Sequence, residues 1–174
     1  MQGHFLKRSM NSKNLLFVYG TLLSGLSNHH HMAGATCLGE AHVQAALFDM
    51  GEYPALSVQG AWAQALGPVL GELYQIEPAQ WQRLDDLEEV DPDSIENSMY
   101  LRVPIQVQWK HPAGPQTVTA QVYVCTTGPW RVGRALITAT FAAIAQIVDS
   151  VDSVRTSSPR NECDKAVSIL TSTI

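Results

Sequence analysis

Apolar and polar residues alternate over long stretches of this chain, which is the pattern of half-buried β-strands. The two clearest stretches are residues 101–109 and 118–124, and turn formers at residues 111–116 join them as a hairpin. Pro104 places the first of these strands at a sheet edge or a bulge, because proline lacks the N–H group that a strand ladder needs. The second half of the chain is therefore predicted to contain an antiparallel hairpin.

Continuous apolar runs predict further strands in the first half. Residues 15–19 form an apolar run that stops at Gly20, which is typical of a buried strand ending in a glycine loop. The other predicted strands cover residues 40–50, 56–58 and 69–76. Because strands outnumber helices and the hairpins are antiparallel, the predicted fold class is α+β. We expect a small, strongly curved mixed sheet or β-barrel with a few flanking helices.

A helical pattern covers residues 79–89, directly after Pro78, which suits the first position of a helix. Its apolar stripe consists of Trp81, Leu84 and Leu87. Its last five positions hold four acids, which are Asp85, Asp86, Glu88 and Glu89. At about 100° per residue, Glu88 falls roughly 40° from the middle of the stripe, whereas the other acids lie on its flank or far side.

An acid on the apolar side of a helix needs a partner, or its pKa is raised by burial. Glu88 is therefore a candidate functional carboxylate. The alternative is that the helix ends at Leu87 and that all four acids form a solvated run.

The glycine after the first predicted strand is a second candidate feature. Without a Cβ, Gly20 lets the backbone approach a ligand closely. The N–H groups that follow such a strand can converge on an anion or a polarised carbonyl. The alternative is an ordinary junction between a strand and a turn.

Composition restricts the class of protein. A chain of 174 residues with 45% hydrophobic and 16% charged residues fits one globular domain. The formal net charge of -5 and the lack of a basic stripe argue against a nucleic-acid partner. Three cysteines without CxxC spacing, and no secretory signal, favour a cytoplasmic location. The longest uncharged apolar stretch, residues 135–148, is too short to span a membrane.

Three consecutive histidines, His29, His30 and His31, are the feature most suggestive of a metal. Consecutive side chains cannot all face one ion from a helix or a strand, and no second ligand pair with the usual spacing accompanies them. We therefore predict no metal site here, but a solvated loop.

The chain is predicted to divide into three parts. Residues 1–13 are expected to be an unpacked leader, with Met10 as an alternative start, and residues 14–130 form the domain. Residues 131–174 are expected to hold a C-terminal helix, at about 134–151, and a loosely ordered Ser/Thr-rich tail. The helix has an apolar face to bury on its own barrel or in a homodimer.

Taken together, these segments resemble the gamma-glutamylcyclotransferase family, close to its gamma-glutamylamine cyclotransferase-like bacterial members. The resemblance covers roughly residues 15–126. The matching segments are FVYGTLLSG at 17–25, GEYPAL at 51–56, VLGELYQI at 69–76, LDDLE at 84–88, SMYLR at 98–102 and AQVYV at 120–124.

The resemblance implies an amine-releasing cyclotransferase of the lyase or acyltransferase type. The α-amine of a gamma-glutamyl amine or amino acid attacks its own γ-carbonyl and releases 5-oxoproline and a free amine, with no cofactor or metal. It further implies that Glu88 is the general acid/base. The implied substrate-binding residues are Tyr19, Gly20, Thr21, Leu22, Tyr100 and Tyr123. Ordinary strand tyrosines are the alternative for the last two.

Two departures from the family pattern lead to separate expectations. Glu89 stands where a glycine usually follows the catalytic acid, so the helix is expected to run one turn further. The region after Gly128 has no family counterpart that we can place. A non-catalytic small-ligand-binding domain of the same fold, or an interaction module built on the C-terminal helix, are the alternative functions.

Overall fold

The computed structural model describes residues 12–50, 53–58, 67–125 and 134–136. In chain order, its strands and helix are β1 Leu15–Val18, β2 Thr36–Gln44, β3 Ala46–Asp49, β4 Pro54–Ser57, β5 Pro68–Gln75, α1 Trp81–Leu87, β6 Tyr100–Trp109, β7 Gln116–Cys125 and β8 Arg134–Leu136. Five of the strands close into a barrel in the order β1-β5-β2-β6-β7, and β4-β3-β8 form a second sheet.

The barrel closes between its first and last strands. β1 pairs with β5 in antiparallel register and with β7 in parallel register, through Leu16 and Gln121. All other pairs in the barrel are antiparallel, and β6 and β7 form the predicted hairpin. The α+β prediction with a curved mixed sheet is therefore confirmed.

Close packing of β1 against β5 explains one glycine of the barrel. All four residues of β1 are buried. A Cβ added at Gly71 would overlap the carbonyl oxygen of Val18 and lie 2.6 Å from Phe17 Cζ. Gly71 is therefore required by the ring of Phe17 and by the neighbouring backbone, since no side chain fits between them.

The predicted helix is shorter than its pattern indicated. A 3-10 turn, Pro78–Gln80, leads into α1, and the backbone N–H of Glu77 donates to Gln80 Oε1 at 2.8 Å. The helix then ends at Leu87. The sequence prediction of a helix over residues 79–89 was therefore two residues too long at its C-terminal end.

Left-handed backbone geometry at Glu89 ends the helix. Glu89 has φ 52°, the one positive φ of a non-glycine residue among the described residues. The N–H of Val90 donates to the Asp85 carbonyl at 2.9 Å, and the N–H of Glu89 donates to the Asp86 carbonyl at 3.4 Å. These two bonds form a Schellman motif, which terminates a helix. The expectation of an extra turn was wrong: Glu89 adopts the conformation that favours glycine.

The two ends of the described chain also differ from the predictions. Ser12–Asn14 form a short 3-10 turn where the end of the unpacked leader was expected, and residues 1–11 of that predicted leader lie outside the described residues. Arg134–Leu136 form β8 on β3, where the start of the C-terminal helix was predicted. The remainder of that helix and the tail lie outside the described residues. Within the described part, no helix is both long enough and apolar enough to cross a membrane.

Candidate active site

Glu88 lies at the C-terminal end of α1, immediately after its last helical residue. Burial raises the pKa of its carboxyl from the ordinary 4.5 to about 7. No hydrogen bond from the described part of the chain offsets this shift. A carboxyl with such a pKa exchanges protons near neutral pH, which is what a general acid/base requires.

Three buried tyrosines, which are Tyr19, Tyr100 and Tyr123, surround this carboxyl. Burial raises the pKa of each hydroxyl, and the negative charge of Glu88 raises it further. All three hydroxyls therefore lie within electrostatic reach of Glu88. The structure brings together four of the residues that the sequence singled out, from the end of β1, from β6, from β7 and from α1.

Each tyrosine hydroxyl already donates its proton to a protein acceptor. Tyr19 donates to the Tyr123 carbonyl at 2.9 Å, and Tyr100 donates to the Pro54 carbonyl at 3.4 Å. The hydroxyl of Tyr123 donates to Asp85 Oδ1 at 2.7 Å. The protons of all three hydroxyls are therefore engaged, and the Tyr19 oxygen also accepts the Leu56 N–H at 3.3 Å.

The loop after β1 offers unused donors instead. The N–H of Leu23 donates to the Gly20 carbonyl at 3.0 Å, whereas the N–H groups of Gly20, Thr21 and Leu22 donate to no acceptor among the described residues. Successive free N–H groups in a turn can form a site for an anion. The loop is held in place at Ser24, whose N–H and hydroxyl both donate to Glu72 Oε2 at 3.0 Å.

The structure gives a packing reason for Gly20 beside the predicted close approach of a ligand, which stays a prediction. Its φ lies outside the left-handed region, so the turn does not demand glycine for its backbone angles. A Cβ at this position would lie 3.1 Å from Pro54 Cγ. The absence of a side chain at Gly20 therefore lets the loop lie close to Pro54, whose carbonyl accepts the Tyr100 hydroxyl.

Asp85 is a site residue that the sequence reasoning missed. Its carboxylate accepts from Tyr123 and pairs with Arg102, with 3.3 Å between Asp85 Oδ2 and Arg102 Nη1. The guanidinium of Arg102 lies 4.4 Å from the centre of the Trp81 ring. The sequence signal was weak: Asp85 precedes Glu88 by three residues, a spacing that places two side chains on one side of a helix.

The four acids of this segment are thus not one solvated run. Asp86 and Glu89 are exposed, as a solvated run would require, but Asp85 and Glu88 are not. A surface depression of ≈ 460 Å³ lies beside α1 and contains none of the tyrosines or Glu88. It is lined by His31, Ala79, Gln82, Arg83, Asp86 and Leu87.

The histidines form a short 3-10 turn, His29–Met32, rather than an irregular loop. His29 Nδ1 and His30 Nδ1 each lie 3.0 Å from a backbone carbonyl, of Leu22 and Ser27 respectively. Within the described ranges, no group of three His, Cys, Asp or Glu side chains could hold a metal ion.

Comparison with known proteins places this chain in a family. The sequence profile described as "Gamma-glutamyl cyclotransferase, AIG2-like" matches residues 16–139. The chain belongs to this family. The match extends beyond Gly128, where we could place no counterpart from the sequence alone, and it includes β8.

Individual relatives agree with this assignment. The chain is 35% identical over 94 residues to "Gamma-L-glutamyl-butirosin B gamma-glutamyl cyclotransferase" of Niallia circulans, covering 53% of this chain and 56% of that protein. It is 40% identical over 80 residues to a "Putative gamma-glutamylcyclotransferase" of Vibrio cholerae, covering 45% and 64%. The chain therefore spans less than two thirds of either curated relative. A solved AIG2-like protein from Mus musculus is 28% identical, with a TM-score of 0.58, over 75% of this chain and 89% of that one.

Proposed function

We propose that this protein is a cyclotransferase that releases 5-oxoproline and a free amine from a gamma-glutamyl amine or gamma-glutamyl amino acid. The observation that carries the proposal is the Glu88 carboxyl, whose pKa burial raises to about 7 among three buried tyrosines. Family membership supplies the reaction class, and Glu88 supplies a group that can move protons in it.

In the proposed reaction the α-nitrogen of the substrate attacks the γ-carbonyl carbon. A carbon–nitrogen bond forms to close the ring, and the bond to the leaving amine breaks. Glu88 accepts the proton that the α-ammonium must lose and donates a proton to the leaving nitrogen, so it ends the cycle in its starting state. Because attack is intramolecular, the remaining task of the protein is to hold the substrate in the ring-closing conformation.

The γ-carbonyl oxygen gains negative charge as the ring closes. The N–H groups of Gly20, Thr21 and Leu22, which donate to no acceptor among the described residues, are the donors that we assign to this oxygen, since the tyrosine protons are already engaged. Preorganised donors of this kind stabilise an oxyanion strongly in a site that excludes water. With protons moved by one carboxylate and charge stabilised by backbone donors, the proposed chemistry requires neither a metal nor a cofactor.

The leaving amine is the part of the substrate that has yet to be identified. We expect it to contact the segments at residues 26–38 and 90–98, which lie outside the segments that match the family motifs except at Ser98. The test is a panel of gamma-glutamyl amino acids, gamma-glutamyl-lysine isopeptide, simple gamma-glutamyl alkylamines and gamma-L-glutamyl-butirosin B, assayed for 5-oxoproline. Release from at least one compound, abolished in Glu88→Gln, supports the proposal. Binding of these compounds without release from any would instead identify a non-catalytic ligand-binding domain.

A further inference from the structure

We propose that Asp85 is a positioning residue for Glu88, held by Tyr123 and Arg102. The inference rests on the proposed function, in which Glu88 moves the protons. Both carboxylate oxygens of Asp85 are engaged: Oδ1 accepts the Tyr123 hydroxyl at 2.7 Å and Oδ2 lies 3.3 Å from Arg102 Nη1.

The partners of Asp85 come from two adjacent strands. Arg102 on β6 and Tyr123 on β7 are directly opposite each other in the strand register. Side chains in such a cross-strand pair lie on the same face of the sheet. Asp85 therefore docks the helix against a rigid pair of strands through a hydroxyl and a guanidinium, two groups that fix direction as well as distance.

A second contact holds the beginning of the same helix. The guanidinium of Arg102 lies 4.4 Å from the centre of the Trp81 ring, and Trp81 is the first residue of α1. Arg102 thus touches α1 at its first residue and, through Asp85, one turn later. Two contacts along the helix axis prevent the helix from rotating about that axis or sliding over the strands.

The position of Glu88 depends on this docking, because α1 is too short to be stable by itself. The helix has seven residues and terminates in the left-handed conformation of Glu89. Such a short helix is not stable without tertiary contacts. Since Glu88 follows Asp85 by three residues on the same side, the position of Asp85 determines where the Glu88 carboxyl meets the tyrosines.

Removing the charge of Asp85 or of Arg102 should shift the pKa of Glu88 in a defined direction. The charge of Glu88 acts on Tyr19 after β1, Tyr100 on β6 and Tyr123 on β7, and the charges of Asp85 on α1 and Arg102 on β6 act on the same Tyr123 hydroxyl. In the native site the charges of Asp85 and Arg102 oppose each other. Removing the charge of Asp85 leaves the Arg102 cation uncompensated, which lowers the pKa of Glu88, because a nearby cation favours a carboxylate. Replacing Arg102 with Met leaves the Asp85 anion and raises that pKa.

The experiment compares Asp85→Ala and Asp85→Asn with Asp86→Asn, whose side chain is exposed on the other side of the same helix. We expect Asp85→Ala to lower kcat by about 10- to 100-fold with KM changed by less than about 3-fold, since misplacing a catalytic group by about 1 Å has effects of this size. Asp85→Asn should lie between this variant and the wild type, because its amide oxygen still accepts from Tyr123. The control should retain kcat.

A second measurement does not require turnover. The Glu88 carboxyl is titrated by ¹³C NMR in Asp85→Asn and Arg102→Met, each checked for cooperative unfolding. We expect the Glu88 pKa to move down in the first and up in the second. An unchanged kcat in Asp85→Ala, or no displacement of the titration in Asp85→Asn, overturns the inference even if 5-oxoproline is formed. A wild type that releases no 5-oxoproline while the titrations move as expected overturns the proposed function alone.

Discussion

Residues 85–89 carry carboxyl groups on both their barrel-facing and their solvent-facing sides, and the surroundings of the two sides differ. On the barrel side, Asp85 binds Tyr123 and Arg102, and Glu88 is half-buried with a pKa raised to about 7. On the solvent side, Asp86 and Glu89 are exposed. Four similar acids in five positions therefore have different surroundings, because their side chains point in different directions. These directions depend on where one short helix ends.

The two barrel-facing acids also differ from each other. Asp85 has a hydrogen-bond donor and a cation within reach, so both of its carboxylate oxygens are paired. Glu88 has no hydrogen-bond donor among the described residues, so burial favours its protonated form. An acid that is already partnered is suited to hold structure, whereas an acid that is buried without a donor is suited to exchange protons.

The largest expected effect is the difference in turnover between the Gln variants of Glu88 and Glu89. Glu88→Gln keeps the shape of the side chain and removes the proton acceptor, so turnover should fall by about 10²–10⁴-fold, the usual contribution of a general acid/base. Glu89→Gln, the matched change one residue later, should alter turnover little. The measurement is the rate of 5-oxoproline release under saturating substrate. Equal losses in the two variants would remove the distinction on which the assignment is based.

The same pair of variants should differ in how their stability depends on pH. Because the pKa of Glu88 is about 7 when folded and near 4.5 when unfolded, the folded protein binds the additional proton between these values. The free energy of unfolding therefore falls as pH rises through this window. Glu88→Gln cannot ionise, so it should be more stable than the wild type at pH 8 by about 1–3 kcal/mol, with little difference near pH 4.

Urea unfolding at pH 4, 6 and 8 measures this difference. Glu89→Gln serves as the control and should follow the wild type at every pH. A Glu88→Gln variant that is less stable than the wild type at pH 8 would show that its ionised carboxylate is stabilised in the folded protein, contrary to the structure.

A smaller effect concerns the left-handed residue that ends the helix. An L-residue in this conformation costs about 1–2 kcal/mol, and glycine avoids that cost. Glu89→Gly should therefore stabilise the protein by about 1 kcal/mol. Asp86→Gly, inside the helix, should destabilise it by about 0.5–1 kcal/mol. Changes of the same sign in both variants, measured by chemical denaturation, would contradict the geometry at Glu89.

The smallest expected effect is that of metal removal. The proposed reaction moves protons through Glu88 and stabilises the oxyanion with backbone donors. Exhaustive treatment with a chelator should therefore leave the rate of 5-oxoproline release unchanged. Activity that disappears with chelator and returns with zinc would require a different mechanism.

Local patterns in the sequence predicted those features that depend on local geometry. The alternation of apolar and polar residues predicted the β6–β7 hairpin. Helical periodicity predicted that Glu88 lies on the apolar side of the helix. The length of the helix was missed because Glu89 adopts a conformation that its residue type rarely takes. The Asp85–Arg102 pair was missed because no local pattern encodes a contact between two distant segments.

The most direct test of the account is the pKa of Glu88 in the free protein. The chain is labelled with ¹³C at the side-chain carboxyl of glutamate, and the resonance missing from the Glu88→Gln spectrum identifies Glu88. Titration should give a midpoint near 7 for this carboxyl. A midpoint near 4.5 for Glu88 would contradict the central claim that burial prepares this carboxyl to exchange protons at neutral pH.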